Sequence, residues 1–237
     1  MTLIAGIILP NGILMMSDTR TLENKFFVHN ENTRKITVIT PNVLLGSSGF
    51  ETTYHTAQVL RQTLYDKKRL TNENVRFCIE GLYKQVNNFH LVERDFPEPL
   101  GHILIGEFDP VKNEYSLHVN SGVNRELFSS YTDYREVKNI ELIGANPLIR
   151  KNVKQKIAGI LEGIALEESS APRKIAELCH NIFKYEAETY QGINQRLYCI
   201  YLTTLNGRTV ADTFFRDELG NEYKLDINDD SRDIVYK

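Results

Sequence analysis

The stretch Met1-Thr-Leu-Ile-Ala-Gly-Ile-Ile-Leu-Pro-Asn-Gly-Ile-Leu-Met-Met-Ser-Asp-Thr-Arg20 decides how the chain folds. Leu3 to Leu9 is an unbroken apolar run, Pro10-Asn11-Gly12 is a turn signal, and Ile13 to Met16 is a second apolar run that ends at Ser17-Asp18. Two short apolar runs around Asn-Gly predict a β-hairpin.

Outward from this hairpin, Ile36 to Ile39 and Val43 to Leu45 read as two further strands separated by Pro41-Asn42. Helical spacing then takes over, first at Tyr54, Ala57, Leu60 and Leu64. After Thr71, a plausible cap, it resumes at Val75, Cys78, Ile79, Leu82, Val86 and Phe89. Phe96-Pro97-Glu98-Pro99 stops that helix. Strands return at Ile103 to Ile105 and Tyr115 to Val119, followed by the turn Asn120-Ser121-Gly122, and again at Glu141 to Ile143. Asn146-Pro147 opens a third helix with Ile149, Val153, Ile157, Ile160 and Ile164 on one face, and Pro172 a fourth with Ile175, Leu178 and Ile182. Arg196 to Leu205, Asn206-Gly207 and Arg208 to Phe215 form a closing hairpin. Strands, two helices, strands, two helices and strands suggest two antiparallel sheets between two helical layers, an α+β class. With no linker or repeat in view, residues 1–237 read as one domain. The charged tail from about Asp217 reads as a loose extension or an extra edge strand.

The composition is that of an ordinary globular protein, with 41% hydrophobic and 25% charged residues. The formal net charge is -3 and the basic residues are dispersed, which argues against a nucleic-acid footprint. Cys78, Cys179 and Cys199 are odd in number and far apart, so neither a disulfide framework nor a metal site is expected; three buried thiols are. No window holds the roughly 20 apolar residues that span a bilayer, and the first residues lack the pattern of a signal peptide. The expectation is a cytoplasmic protein with no membrane partner and no cofactor.

Thr2 follows the initiator methionine, which is readily removed before a small residue. A threonine with a free amino group holds a nucleophile and a base in one residue. The α-amino pKa of about 7.7–8.0 lies close to neutrality, so the amine can accept the hydroxyl proton directly or through water.

The opening stretch, with Asp18-Thr19-Arg20, Arg34-Lys35-Ile36 and the Gly-containing segment Leu44-Leu45-Gly46-Ser47-Ser48-Gly49, resembles proteasome β-type subunits, which are N-terminal-nucleophile hydrolases. The likeness is good over roughly residues 2 to 65 and beyond that rests on element order. A direct Met-Thr start resembles both the bacterial two-component ATP-dependent protease and the bacterial ancestral-β-subunit (Anbu) group, and the length and the Thr-Arg-Lys-Ile segment look more like the second. The resemblance implies a four-layer αββα sandwich and a threonine-type endopeptidase. It implies that Thr2 attacks, that Lys35 lowers the pKa of the Thr2 hydroxyl and amine, that Asp18 pairs with Lys35, and that the Gly49 N–H stabilises the oxyanion. It also implies a homo-oligomeric ring or spiral, a peptide or unfolded-protein substrate, and an ATPase unfoldase as a possible partner.

Two motifs depart from the family. Its Gly-Ser-Gly before the third helix is Gly144-Ala145-Asn146 here, which removes a hydroxyl. Its Asp-Ala-Tyr-Ser-Gly-Gly after the fourth helix is Glu188-Thr189-Tyr190-Gln191-Gly192-Ile193, so Glu188 would replace the aspartate and Gln191 the serine. By the same likeness Thr21, Thr33, Thr37, Ser48 and Glu51 would surround the substrate side chain, a polar and acidic pocket suited to a basic or polar residue. Taken singly, Asp18 also reads as a turn cap, Lys35 as a solvated strand residue, Gly49 as a helix-start glycine, and the pocket residues as ordinary surface. Two other functions stay open, a non-catalytic scaffold on the same fold and an amidase acting on a small metabolite.

Overall fold

A computed structural model describes residues 2–23, 27–67, 69–92, 98–123, 127–229 and 231–236. Among these the chain is mixed α+β, with three antiparallel sheets and four helices. The opening hairpin is β1 (Leu3–Leu9) and β2 (Gly12–Ser17), paired from Ile4↔Ser17 to Leu9↔Gly12. Short strands β3 (Thr21–Glu23) and β4 (Phe27–Asn30) form the two-stranded sheet. Next come β5 (Ile36–Thr40), β6 (Val43–Gly49), α1 (Glu51–Leu64) and α2 (Asn72–Val92). They are followed by β7 (Gly101–Asp109), β8 (Glu114–Ser121), β9 (Thr132–Tyr134), β10 (Ile140–Gly144), α3 (Pro147–Glu162) and α4 (Ala171–Thr189). The chain closes with β11 (Leu197–Leu205), β12 (Arg208–Arg216) and β13 (Glu222–Lys224). The six-stranded sheet runs β10-β1-β2-β11-β12-β13 and the five-stranded sheet β5-β6-β7-β8-β9.

The unbroken apolar character of β1 has a direct cause. Leu3, Ala5, Ile7 and Leu9 pack in one cluster with α3 and α4 residues such as Val153, Ile157, Cys179 and Phe183. Ile4 and Ile8 point the other way, into a second cluster with Leu44, Leu104 and Leu117 of the five-stranded sheet. Alternation along the strand therefore serves two cores at once. Gly6 permits the close approach of the sheets, because a Cβ there would lie 3.0 Å from a Leu117 methyl and 3.1 Å from one of Leu104. A third cluster joins Ala57, Leu60 and Leu64 of α1 and Val75, Ile79 and Tyr83 of α2 to Val43, Leu45, Ile103 and Ile105.

Helix ends follow the local chemistry. Thr71 caps α2, its Oγ1 accepting from Asn74 N at 3.2 Å, and Asn146 caps α3, its Oδ1 accepting from Ile149 N at 2.9 Å with Pro147 in the first turn. The expected apolar stripes shift in two places. Phe89 is 72% exposed, and the buried place beside it belongs to Asn87, whose Oδ1 accepts from Leu100 N at 2.8 Å. Leu178 is 43% exposed while Cys179 is buried. Phe96 and Pro97, the expected helix stop, lie outside the described residues. Burial pushes the Cys179 thiol up to about 12 and raises Cys199 well above its ordinary value, so both are inert core thiols. Cys78 is half-buried rather than buried.

The charged tail forms an edge strand, β13, against β12, and then continues over the molecule. Leu225 and Ile234 are buried in the cluster between the two sheets, and Thr33 and Asp233 form an antiparallel bridge.

A buried polar cluster ties α2 to β7, β8 and β9. Glu107, 3% exposed, accepts from Arg76 Nη1 and lies 3.2 Å from His118 Nε2, while His118 Nδ1 meets Asp133 Oδ1 at 2.6 Å. Burial pushes the Glu107 pKa up, but the hydrogen bond and charge of His118 and the charge of Arg76 outweigh it and hold the carboxyl below its ordinary value. A carboxylate whose folded pKa is depressed contributes stability above its unfolded pKa and loses it as pH falls through the folded pKa. The expected result in urea denaturation is a loss of stability below about pH 4.3, less steep in Glu107→Gln than in the parent chain.

Candidate active site

The candidate residues converge at one end of the β1–β2 hairpin. Asp18 follows β2 directly and its side chain is wholly buried. Its Oδ1 accepts from Leu3 N at 2.8 Å, its Oδ2 accepts from Lys35 Nζ at 2.7 Å, and the same Oδ2 lies 3.2 Å from Arg20 N. Lys35 precedes β5, and its side chain is 5% exposed. Burial lowers its pKa below the ordinary lysine value, opposed by the charge and hydrogen bond of Asp18. One carboxylate thus joins the buried ammonium to the backbone N–H immediately after Thr2. Met1 lies outside the described residues.

Thr2 is held from the other side by the turn between β10 and α3. Its carbonyl accepts from Ala145 N at 2.6 Å. A Cβ on Gly144 would lie 1.9 Å from the Thr2 oxygen, so glycine alone fits there. Ala145 adopts φ 30°, a left-handed conformation unusual for alanine. Arg150, one turn into α3, donates from Nη1 to the carbonyls of Gly144 at 2.6 Å and Ala145 at 3.1 Å. This guanidinium tethers the turn. Arg150→Met is expected to cost about 1.5–3 kcal/mol in urea denaturation, the range for hydrogen bonds to a charged group, with partial recovery in Arg150→Lys.

Gly49 ends β6 at φ 132°, and a Cβ there would meet the Leu100 carbonyl at 2.2 Å. It is the last strand residue, one step before the residue that caps α1, rather than a helix-start glycine. Ser48 is buried beside it, with its Oγ 3.5 Å from His102 O and its Cβ 3.3 Å from where a Gly144 Cβ would stand. Burial and the charge of Arg150 lower the His102 pKa, which favours a neutral imidazole next to this turn.

The expected supporting residues are placed differently. Glu188 stands exposed in the last turn of α4, and among the described residues no hydrogen bond joins it to Asp18 or Lys35. Gln191 enters through its backbone, its carbonyl accepting from Arg20 Nη1 at 2.6 Å. The buried partner from this end of the chain is Asn194. Its Oδ1 accepts from Thr19 N at 3.0 Å, and its Nδ2 donates to Glu31 Oε2 at 2.7 Å. Glu31 also binds Arg20. Burial opposes ionisation of Glu31, yet the Arg20 and Asn194 hydrogen bonds hold its pKa below the usual value. Sequence reading missed Asn194 because 175 residues separate it from Thr19 and no local pattern marks the contact.

Of the expected pocket residues, Thr21 and Thr33 meet through their hydroxyls at 3.4 Å, and Thr33 N donates to Thr19 O at 2.8 Å. Thr37 Oγ1 accepts from Gln58 Nε2 at 3.4 Å. Glu51 is bound by Arg232 of the tail, whose hydrogen bond is the main cause of its lowered pKa. The tail therefore offsets the acidic charge that the sequence placed at this pocket.

Among the described residues no group of three or more His, Cys, Asp or Glu side chains is arranged to hold a metal ion, and no helix is long and apolar enough to cross a membrane. No family model matches the chain, and no curated protein sequence matches it.

Proposed function

We propose that this chain is a proteasome-like threonine hydrolase in which Thr2, once its amino group is free, supplies both the attacking oxygen and the base. The observation that carries the reading is the buried Lys35–Asp18 pair, hydrogen bonded through the second carboxylate oxygen to Leu3 N. An ion pair is costly to bury, and this one is fastened to the residue that follows the proposed nucleophile. Three hydrophobic clusters, one between the two larger sheets and one between each sheet and a helix pair, favour the four-layer αββα arrangement of N-terminal-nucleophile hydrolases.

In this reading the Thr2 amine takes the hydroxyl proton, and Lys35 lowers the cost of the developing alkoxide by its charge. Thr2 Oγ adds to the scissile carbonyl, the Gly49 N–H stabilises the oxyanion, and the leaving amine takes the proton back. Water then hydrolyses the ester on Thr2. The substrate is a peptide bond in a peptide or unfolded protein, reached inside an assembly of identical subunits.

The test is covalent labelling. A peptide epoxyketone forms its ring adduct only with a hydroxyl and a free amine on the same residue. A mass increase confined to the Thr2 peptide supports the reading; a chain whose amine is free and which takes no label overturns it. The exposed Glu188 and the hydroxyl absent at Ala145 favour a second reading, a non-catalytic scaffold on this fold, and it predicts no adduct.

The pocket carries its own expectation. Arg232→Ala releases the Glu51 carboxylate, so labelling by an epoxyketone with a basic side chain at the cleavage position should rise about fivefold over its leucine counterpart. That size corresponds to one exposed ion pair, and the ratio of the two labelling rates measures it.

A further inference from the structure

We propose that the cavity lined by β5, α1, β12 and the C-terminal tail binds one small anion of halide size. Its volume is about 20 Å³, and its lining includes Arg34, Gln58, Arg61, Tyr198, Thr213 and Asp229. A volume above roughly 10–15 Å³ admits one water-sized species, so the space suits a single atomic ion.

Charge selects its occupant. The Arg34 side chain is 6% exposed and binds Asp229, at 2.6 Å from Nη2 to Oδ2, but its Nε is buried without a partner. Arg61 is 7% exposed. Its guanidinium donates to Val38 O at 2.6 Å and to Ile227 O at 3.4 Å and stacks on Tyr65, and among the described residues no carboxylate pairs with it. Among the described residues that line the cavity, two buried guanidiniums thus stand against one carboxylate, that of Asp229, which pairs with Arg34 alone and whose side chain is 36% exposed. Thr213, 2% exposed, adds a hydroxyl that is also buried without a partner.

Both orphaned groups are donors, or can be. Water would satisfy their hydrogen bonds and leave the net positive charge, whereas an anion satisfies both and neutralises the site. The ion would fasten the tail, through Arg34 and Asp229, to the strand that begins one residue after Lys35. It would thus be a structural ligand, independent of any reaction at Thr2.

The experiment uses the full chain in sodium gluconate, an anion far larger than this space, with chloride or bromide substituted at constant ionic strength. The expected result is a saturable rise in Tm of about 3–5 °C when the halide reaches roughly ten times its dissociation constant. Thr213→Val keeps the shape and removes one donor. Its rise should be less than half that of the parent chain, while in gluconate it should melt no lower than the parent, because an unpaired buried hydroxyl has gone. Crystals soaked in bromide should show an anomalous peak within contact of Arg34 Nε and Thr213 Oγ1. Coincident melting curves in halide and gluconate, an equal halide response in Thr213→Val, or a water with no anomalous signal at this position would each overturn the proposal.

Discussion

Replacing Thr2 by alanine is expected to lower peptide hydrolysis by about 10⁴-fold or more, the scale on which removal of a nucleophile acts in hydrolases that use one. The fold should be untouched, because the Thr2 contacts that the structure specifies run through its backbone, with the carbonyl accepting from Ala145 N. Alanine keeps that carbonyl. Thr2→Ser keeps the hydroxyl as well and should retain most of the rate. Steady-state turnover of a fluorogenic peptide, together with a melting curve for each variant, checks both halves. Activity in Thr2→Ala at the parental level would show that another group carries out the chemistry.

The second large effect concerns Asp18. Its carboxylate makes three contacts, with Leu3 N, Arg20 N and Lys35 Nζ, all in a side chain fully removed from solvent. Asp18→Ala leaves the Lys35 ammonium buried and unpaired. Breaking one side of such a pair costs about 3–5 kcal/mol, roughly a 6–20 °C fall in Tm for a chain of this size. Lys35→Met alone strands the opposite charge and should cost a similar amount. The double variant Asp18→Ala/Lys35→Met removes both charges and should recover much of the lost stability, since a buried ion pair replaced by apolar groups is often neutral. Activity should not return with it. Denaturation and turnover of the four proteins separate the two roles, and a double variant that regained activity with its stability would limit Lys35 to a structural part. The unusual feature of the pair is that Lys35 is pulled below its normal pKa by burial while Asp18 resists the change. The Lys35 site is therefore poised between a charged and a neutral amine more closely than a surface lysine is.

Much of the fold was legible in the sequence, and the reasons are local. The apolar runs, the Asn-Gly turns, the caps at Thr71 and Asn146 and the helical spacing in α1 to α4 all act over a few residues, so they survive reading one segment at a time. Asp18, Lys35 and Gly49 stood out only through the likeness to proteasome β-type subunits, since read singly they are a turn cap, a strand residue and a glycine; in the fold Asp18 follows β2, Lys35 precedes β5 and Gly49 ends β6. Short strands such as β3, β4, β9 and β13 carried too few residues for an alternating pattern, and they exist because a neighbour supplies the other half of the ladder.

By itself the sequence determined which segments form the apolar strands and where the helices begin. Only the tertiary structure decided that Asn194 rather than Glu188 supplies the buried polar partner, that Arg150 secures the turn against Thr2, and that Arg232 neutralises Glu51. Hydrophobic periodicity is written residue by residue along the chain. Hydrogen bonds and ion pairs between segments as far apart as 203 residues depend on where packing sets those segments down, and no local pattern records that.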